Sequence, residues 1–318
     1  MSRSASRSNV SSPAAQHVPP VPPVDPLHGV DIGSVLAVAL DDRWLVFSAA
    51  VTQSRHAISK KQIHDLRVAT RRLLANLNIV ESLLSGKSLP KLHRRLKRHL
   101  RPFGLLRDLQ LQRSTLRELV VSYPSLRPYA NELALREQTL VKRARRELRE
   151  IELERAQQEI DQFREQLIAM LSDPAMGRAA VAVVMGSLAK AYLQASALKN
   201  AAMSGRTPSI HRFRISFKRF RYMVEALQPL LPGVPVTMFP AMNAYQTRMG
   251  AIQDQEVLME SLFDWSQRHK RMVAAVLAPC RTALERTHKE LVASFLASAI
   301  EFEGFWQALQ SRSTEGGR

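Results

Sequence analysis

Apolar residues recur three and four positions apart along most of the chain, as Leu66, Ala69, Leu73, Leu77 and Val80 illustrate. This spacing matches the turn of an α-helix and gives each segment one apolar face. No run of alternating apolar and polar residues bounded by hairpin turn signals is evident, so a sheet core is not expected. The pattern predicts an all-α fold of about eight or nine helices.

Proline and glycine residues mark where we expect the helices to end. Pro102 with Gly104 predicts a break in the first half of the chain, and Asp173–Pro174 predicts another near the middle. The segment from about Tyr129 to Leu171 contains no proline or glycine, which predicts one helix there, the longest in the chain. Further breaks are expected at Ser85–Gly86 with Pro90, at Pro124 with Pro128, and from Gly205 to Pro208.

These breaks and the composition divide the chain into four parts. Residues 1–28 are rich in Ser, Arg and Pro, and we predict that they form a disordered basic tail. Two helical bundles follow, over residues 29–172 and 173–312, because Asp173–Pro174 is the best place to divide the chain. The last residues, 313–318, are also predicted to be disordered.

The second half of the chain repeats two motifs of the first half in the same order. The first motif reads His, any residue, an apolar residue and Arg, then a β-branched residue, two further residues and a basic pair. It occurs as His64–Leu73 and again as His211–Phe220. The second motif begins at Gly104 and at Gly250, which lie 40 and 39 residues after the respective histidines. Two matches at nearly the same spacing indicate that the halves are related copies.

On a helix, the first motif separates its cationic side chains from its apolar ones. At about 100° per residue, His64, Arg67 and Arg71 fall on one face, and the leucines of the same segment fall on the other. The copy has the same division, with His211, Arg214, Lys218 and Arg221 on one face and Phe213, Phe217, Phe220, Val224 and Leu227 on the other.

The chain carries 46 Lys and Arg against 28 Asp and Glu, a formal net charge of +18. A solvated helix face is the simplest interpretation of an arbitrary basic helix, but it predicts charges of both signs. Instead, residues 60–101 contain twelve Lys and Arg and two acids, and residues 206–221 contain six and no acid. Such clusters repel themselves unless an anion binds. Charge alone does not rank nucleic acid, an anionic membrane surface and a soluble polyanion.

A third basic segment lies just before Gly104, and the corresponding place in the second half holds only Arg248. The two halves are therefore not equally charged. The side chains of this segment that share one helical face are Lys91, Arg94, Arg98 and Arg101, and Arg95 lies beside them.

Cysteine content and hydropathy bear on the compartment. Cys280 is the only cysteine, which excludes an intramolecular disulfide and a cysteine-based zinc site, and a reducing cytoplasm is expected. The apolar stretch from Ile32 to Val51 is interrupted by Asp41, Asp42 and Arg43. Because three charges in a row would make membrane insertion costly, we expect no transmembrane segment.

No cofactor, metal or catalytic residue is predicted. Neither His64 nor His211 has a second histidine four residues on, as the helical zinc motif requires. Phosphoryl-transfer enzymes commonly use acids that hold Mg²⁺, and the basic helices offer few acids and no Walker loop. Asp108 and Asp254 occupy matching positions, and we expect them to brace a basic residue such as Arg107.

Together these motifs resemble the CHAD domain, a conserved-histidine α-helical domain. The resemblance rests on His64–Arg72, Leu106–Leu109 and His211–Tyr222, and it covers roughly residues 30 to 312. It implies two helical bundles related by an approximate two-fold axis, with basic residues of both halves lining a central pore or groove. It also implies binding of inorganic polyphosphate and association with polyphosphate granules. The chain departs from the family pattern at Gln253, where a more basic or Asn-type residue is usual.

We therefore predict a cytoplasmic, non-enzymatic protein that binds inorganic polyphosphate in a groove shared between the halves and docks on polyphosphate granules. The alternatives are a nucleic-acid-binding protein, which the net charge also suits, and a metal-dependent polyphosphate hydrolase. The cationic faces carry little aromatic material on which bases could stack. The predicted polyphosphate-binding residues are His64, Arg67, Arg71, Arg72, Lys91, Arg94, Arg95, Arg98, Arg101, Arg107, His211, Arg214, Lys218, Arg219 and Arg221.

Overall fold

The computed structural model describes residues 31–231, 234–269 and 274–310. These residues form ten α-helices and two short 3-10 helices, with no strand among them, so the all-α prediction is confirmed. The predicted tail over residues 1–28 and the predicted C-terminal segment 313–318 lie outside the described residues. The α-helices are α1 (Ile32–His56), α2 (Lys60–Leu83), α3 (Ser88–Ser122), α4 (Arg127–Glu150), α5 (Leu153–Leu171), α6 (Pro174–Ala202), α7 (Thr207–Ala226), α8 (Met238–Arg268), α9 (Ala274–Ala297) and α10 (Glu301–Gln310).

The prediction of one helix over residues 129–171 is wrong, because the chain leaves helical geometry at Ile151 and Glu152, which separate α4 from α5. Arg55 of α1 stabilises this break. Its Nε donates to the carbonyl of Leu148 at 3.0 Å, and its Nη2 donates to the carbonyl of Ile151 at 2.6 Å. The guanidinium thus satisfies carbonyls that a continuing helix would have bonded itself. This break adds one helix to the number expected from the sequence.

The predicted break at Pro102 and Gly104 is also wrong, because α3 continues through both residues. Proline lacks the N–H that would bond the carbonyl four residues earlier, so α3 loses one hydrogen bond there. Leu96, Phe103 and Leu106 flank this point and are almost completely buried. Their packing holds the helix against the core on both sides of the proline.

The apolar faces predicted for α2 and α7 are buried in a core that extends through both halves of the chain. Leu66 and Leu73 of α2 and Phe213 and Phe217 of α7 are fully buried. The first half contributes mainly aliphatic side chains, whereas the second contributes a cluster of aromatic rings around Phe217. Helix α2 of the first half packs on α6 and α7 of the second half, so one buried cluster contains residues from both sides of the α5–α6 turn. The division of the chain into two bundles at this turn stays a prediction.

A second buried cluster joins α3 and α4 to α8 and α9. Tyr129 and Trp265 pack with their ring centroids 5.3 Å apart, and the Tyr129 hydroxyl donates to Ser261 Oγ at 2.6 Å. Cys280 is buried in the same cluster as a free thiol. The two halves of the chain therefore meet through apolar packing in two places.

Among the described residues, α6 is the one helix long and apolar enough to cross a membrane by length and composition. The core helix of a soluble protein passes the same test. In this fold α6 packs on α7 and buries Val184, Leu188 and Ala195 in the core. The absence of a transmembrane segment stays a prediction.

Replacing Asp173 by Ala removes the carboxylate that accepts a hydrogen bond from the Ala175 N–H at 2.8 Å and caps α6. We expect the free energy of unfolding to fall by about 1 kcal/mol, the usual cost of a lost N-cap. Urea denaturation followed by circular dichroism measures the change. Ser172→Ala is the matched control, because that hydroxyl donates to the Ala169 carbonyl and does not cap α6. An equal loss in both variants would contradict the capping role.

Candidate functional site

The cationic faces of α2 and α7 come together where these helices pack. Lys218 of α7 lies within the electrostatic influence of four guanidinium groups, two from each helix. Burial, followed by repulsion from these cations, lowers the pKa of Lys218 to about 7. The structure thus brings together five of the predicted site residues. We name this group the central cluster, and it consists of Arg67, Arg71, Arg214, Lys218 and Arg221.

Two glycines make room for two guanidinium groups of the central cluster. A Cβ atom at Gly104 would lie 2.8 Å from Arg67 Nη1, and one at Gly250 would lie 3.4 Å from Arg214 Nη2. Each guanidinium therefore rests against the backbone of the next helix, α3 for Arg67 and α8 for Arg214. This contact explains why a glycine accompanies each His-x-x-Arg motif in the sequence.

Asp108 and Asp254 lie beside the same two arginines. Asp108 Oδ1 is 3.9 Å from Arg67 Nη2, and the negative charge of Asp254 favours the charged form of Arg214. Burial raises the pKa of Asp254, and the attraction of Arg214 opposes that rise. The two acids therefore brace Arg67 and Arg214, and the charge of Arg107, the partner expected from the sequence, also acts on Asp254.

The motif histidines lie beside the central cluster and contribute little charge to it. Partial burial lowers the pKa of His64, and repulsion from Arg107 lowers it further. Burial and the charge of Arg214 lower the pKa of His211 in the same way, against an opposing hydrogen bond with Gln253. Because both pKa values lie below the usual value for histidine, both rings are neutral at pH 7 and offer hydrogen-bonding nitrogens.

Tyr222 belongs to this region although it is not among the predicted site residues. Its ring is buried, and the guanidinium carbon of Arg221 lies 4.7 Å from the ring centroid. Its hydroxyl also interacts electrostatically with Arg67 of the first half and Arg214 of the second. Tyr222 follows Lys218 by four residues and so shares its helical face, a signal that could have identified it.

Other predicted site residues lie outside the central cluster. Arg72 forms an ion pair with Glu225 at 3.2 Å, and Arg95 forms one with Glu159 at 2.7 Å. Arg219 is exposed and donates to a glutamine of α6. These three side chains therefore contact other helices of the fold. Four predicted site residues are exposed on the N-terminal part of α3, namely Lys91, Arg94, Arg98 and Arg101, and Lys97 is exposed beside them.

Three cations that the sequence did not single out extend the basic surface beyond Arg107. Lys60 begins α2, and Arg113 and Arg117 lie on α3. Burial lowers the pKa of Lys60 most, and the charges of Arg117, Arg113 and Arg107 lower it further. The four-residue spacing of Arg113 and Arg117, which places them on one helical face, was the available signal.

The arrangement suits the binding of an anion with several oxygen atoms. Arg214 Nε and His211 Nδ1 are buried without a hydrogen-bond partner among the described residues. An unpaired buried polar group costs about 1–3 kcal/mol, so an oxygen-rich ligand would be stabilised here. Arginine also binds two phosphate oxygens at once through its planar fork. Among the described residues, no group of three His, Cys, Asp or Glu side chains converges to hold a metal ion.

Comparisons with known proteins identify the family and the fold. A family model described as "CHAD domain" matches residues 41–263, a range that contains both motifs of both halves. The crystal structure of the CHAD domain from the plant Ricinus communis superimposes with a TM-score of 0.60, covering 88% of this chain and 92% of that chain. The two sequences are 15% identical, so this likeness concerns the fold alone. No match was found among curated proteins.

The shifted pKa of Lys218 predicts how the stability of the ligand-free protein depends on pH. Between about pH 7 and 9 the unfolded lysine is protonated and the folded one is not, so the free energy of unfolding rises with pH. Lys218→Met should remove this rise. Urea denaturation at several pH values, in buffers without phosphate, measures it.

Lys190→Met is the matched control for this experiment, because Lys190 is an exposed lysine on α6. It should keep the rise in stability that the unmodified protein shows. The same pH dependence in the Lys218 variant and in the unmodified protein would contradict the placement of Lys218 in a buried cationic cluster.

Proposed function

Because this chain belongs to the CHAD domain family, we propose that it binds inorganic polyphosphate, without catalysis, in a basic groove shared between its two halves. In this proposal the two halves are helical bundles related by an approximate two-fold axis, and the central cluster lies in the groove between them. The matching contacts of Arg67 with Gly104 and of Arg214 with Gly250 support that relation.

The observation that carries the proposal is the convergence of partly buried cations from both halves on Lys218. Arg67 and Arg71 come from α2, whereas Arg214, Lys218 and Arg221 come from α7. Burying like charges together is unfavourable unless an anion compensates them. Asp108 and Asp254 brace one arginine each, and Glu225 lies 3.5 Å from Arg221 Nε. These three acids face five cations and leave the cluster with a net positive charge.

A linear polyphosphate suits this cluster better than a single phosphate does. Successive phosphate units each carry negative charge, so one chain can contact cations of both helices at the same time. Each arginine can form paired hydrogen bonds to one unit, and Lys218 adds a point charge. Releasing the counterions of several phosphates also makes such binding strongly dependent on salt, by analogy with nucleic acids.

A binding role is supported over catalysis and over nucleic-acid recognition by two features of the described residues. Phosphoryl transfer commonly uses acids that hold Mg²⁺, whereas Asp108 and Asp254 lie against arginines. Single-stranded nucleic acids are held by exposed aromatic rings, whereas Tyr222, the ring beside the cluster, is buried. We place the protein in the cytoplasm and propose docking on polyphosphate granules as the consequence of binding.

Replacing Arg71 by Gln and Lys218 by Met in one variant removes a cation from each half of the groove. We expect the affinity for polyphosphate to fall about a hundredfold, because charged hydrogen bonds in a partly buried site are lost. Fluorescence anisotropy with labelled polyphosphate at fixed salt measures the loss. The control is Arg178→Gln with Lys190→Gln, which removes two exposed charges of α6 and should leave affinity almost unchanged.

Two further measurements, on the unmodified protein and on the Arg71 and Lys218 variant, separate polyphosphate binding from nucleic-acid binding and from catalysis. Competition between polyphosphate and duplex DNA at fixed salt should favour polyphosphate. Phosphate release in the presence of Mg²⁺ should be no greater than in the absence of protein. Unchanged polyphosphate affinity in the Arg71 and Lys218 variant, or phosphate release that this variant abolishes, would contradict the proposal.

A further inference from the structure

The contact between Arg67 and Gly104 fixes how α2 and α3 lie side by side. The two helices run antiparallel, because Arg67 meets α3 at Gly104, whereas Glu81, later on α2, interacts with His93, earlier on α3. Lys60 lies seven residues before Arg67, so it faces α3 about seven residues after Gly104. This register places Lys60 beside the part of α3 between Arg107 and Arg117.

The cations that meet there form a continuous basic strip next to the central cluster. Arg107 links the central cluster to this strip, because it interacts electrostatically with Arg67 of the cluster and with Lys60 of the strip. Arg113 forms an ion pair with Glu137 of α4. Lys60 and Arg117 form no ion pair with any acid among the described residues. We name Lys60, Arg107, Arg113 and Arg117 the α3 strip.

The position of Lys60 is itself unfavourable for the isolated protein. It occupies the first turn of α2, where the helix dipole favours negative charge, and that turn contains no acid. The first-turn N–H groups and the Lys60 ammonium both favour an anion at this end of α2. A phosphate group placed between Lys60 and Arg107 would supply the negative charge that the first-turn N–H groups and the Lys60 ammonium both favour.

The second half of the chain has no counterpart of the α3 strip. Matching the motifs of the two halves places Thr207, Gln253, Met259 and Phe263 at the positions of the four cations. The Thr207 hydroxyl lies within hydrogen-bond distance of a histidine of α9, and Met259 and Phe263 line an apolar groove between α8 and α9. The second half therefore offers no basic surface that corresponds to the α3 strip.

We propose that a polyphosphate chain held at the central cluster continues over the α3 strip, so that the site extends beyond the cluster and selects for chain length. This inference rests on the proposed function and adds the extent of the site. Arg107 and Arg117 are ten residues apart, which is about 15 Å along a helix. A short oligophosphate occupies only the central cluster, whereas a long chain also covers the strip.

The test compares tripolyphosphate with long-chain polyphosphate as ligands of the full-length chain. Lys60→Gln with Arg117→Gln removes two cations of the strip that form no ion pair among the described residues. We expect this variant to bind long chains about tenfold more weakly and to bind tripolyphosphate as the unmodified protein does. The dependence of long-chain affinity on salt should also weaken, by about two charges.

Two reference variants complete the experiment. Arg178→Gln with Lys190→Gln removes the same charge from α6 and should change neither affinity. Arg71→Gln with Lys218→Met should weaken the binding of both ligands. Thermal unfolding confirms that each variant is folded before its affinity is compared.

The outcomes separate this inference from the proposed function. Equal losses for both ligands in the Lys60 and Arg117 variant, or no loss for long chains, would overturn the α3 strip while the central cluster stands. No effect of the Arg71 and Lys218 variant on either ligand would overturn the proposed function itself.

Discussion

The structure depends on the packing of α2 against α7, which places like charges side by side in a partly buried region. Repulsion between Lys218 and the arginines around it opposes folding, and apolar burial on the opposite faces of the same helices offsets that cost. Leu66 and Leu73 of α2 and Phe213 and Phe217 of α7 supply this burial. The two faces of each helix therefore have opposite effects on stability, and the apolar face allows the cationic one to exist.

The supporting residues around the central cluster follow from the same constraint. Gly104 and Gly250 let two guanidinium groups approach neighbouring backbones, and Asp108 and Asp254 reduce repulsion without neutralising the cluster. Further from the centre, arginines that also appear in the basic motifs serve the fold. Arg72 and Arg95 form ion pairs between helices, so part of the positive charge in this chain stabilises the fold.

Much of the fold could be predicted from local patterns, because helical period and motif register are properties of short segments. They predicted the buried faces of α2 and α7 and the residues that surround Lys218. The partners of individual cations could not be predicted, since nothing local to Arg95 indicates that Glu159 lies beside it. Tyr222 was missed because a buried aromatic ring on an amphipathic helix is normally explained by core packing alone.

The break between α4 and α5 has a consequence for the order of folding. It is stabilised by Arg55, which precedes the carbonyls it binds by 93 and 96 residues. Contacts between positions so distant in the chain form slowly compared with helices, because a long loop must close first. We therefore expect residues 127–171 to form one continuous helix while α1 is not yet docked, and to bend when Arg55 arrives. The first half of the chain then acquires its final shape only when its first and last helices have met.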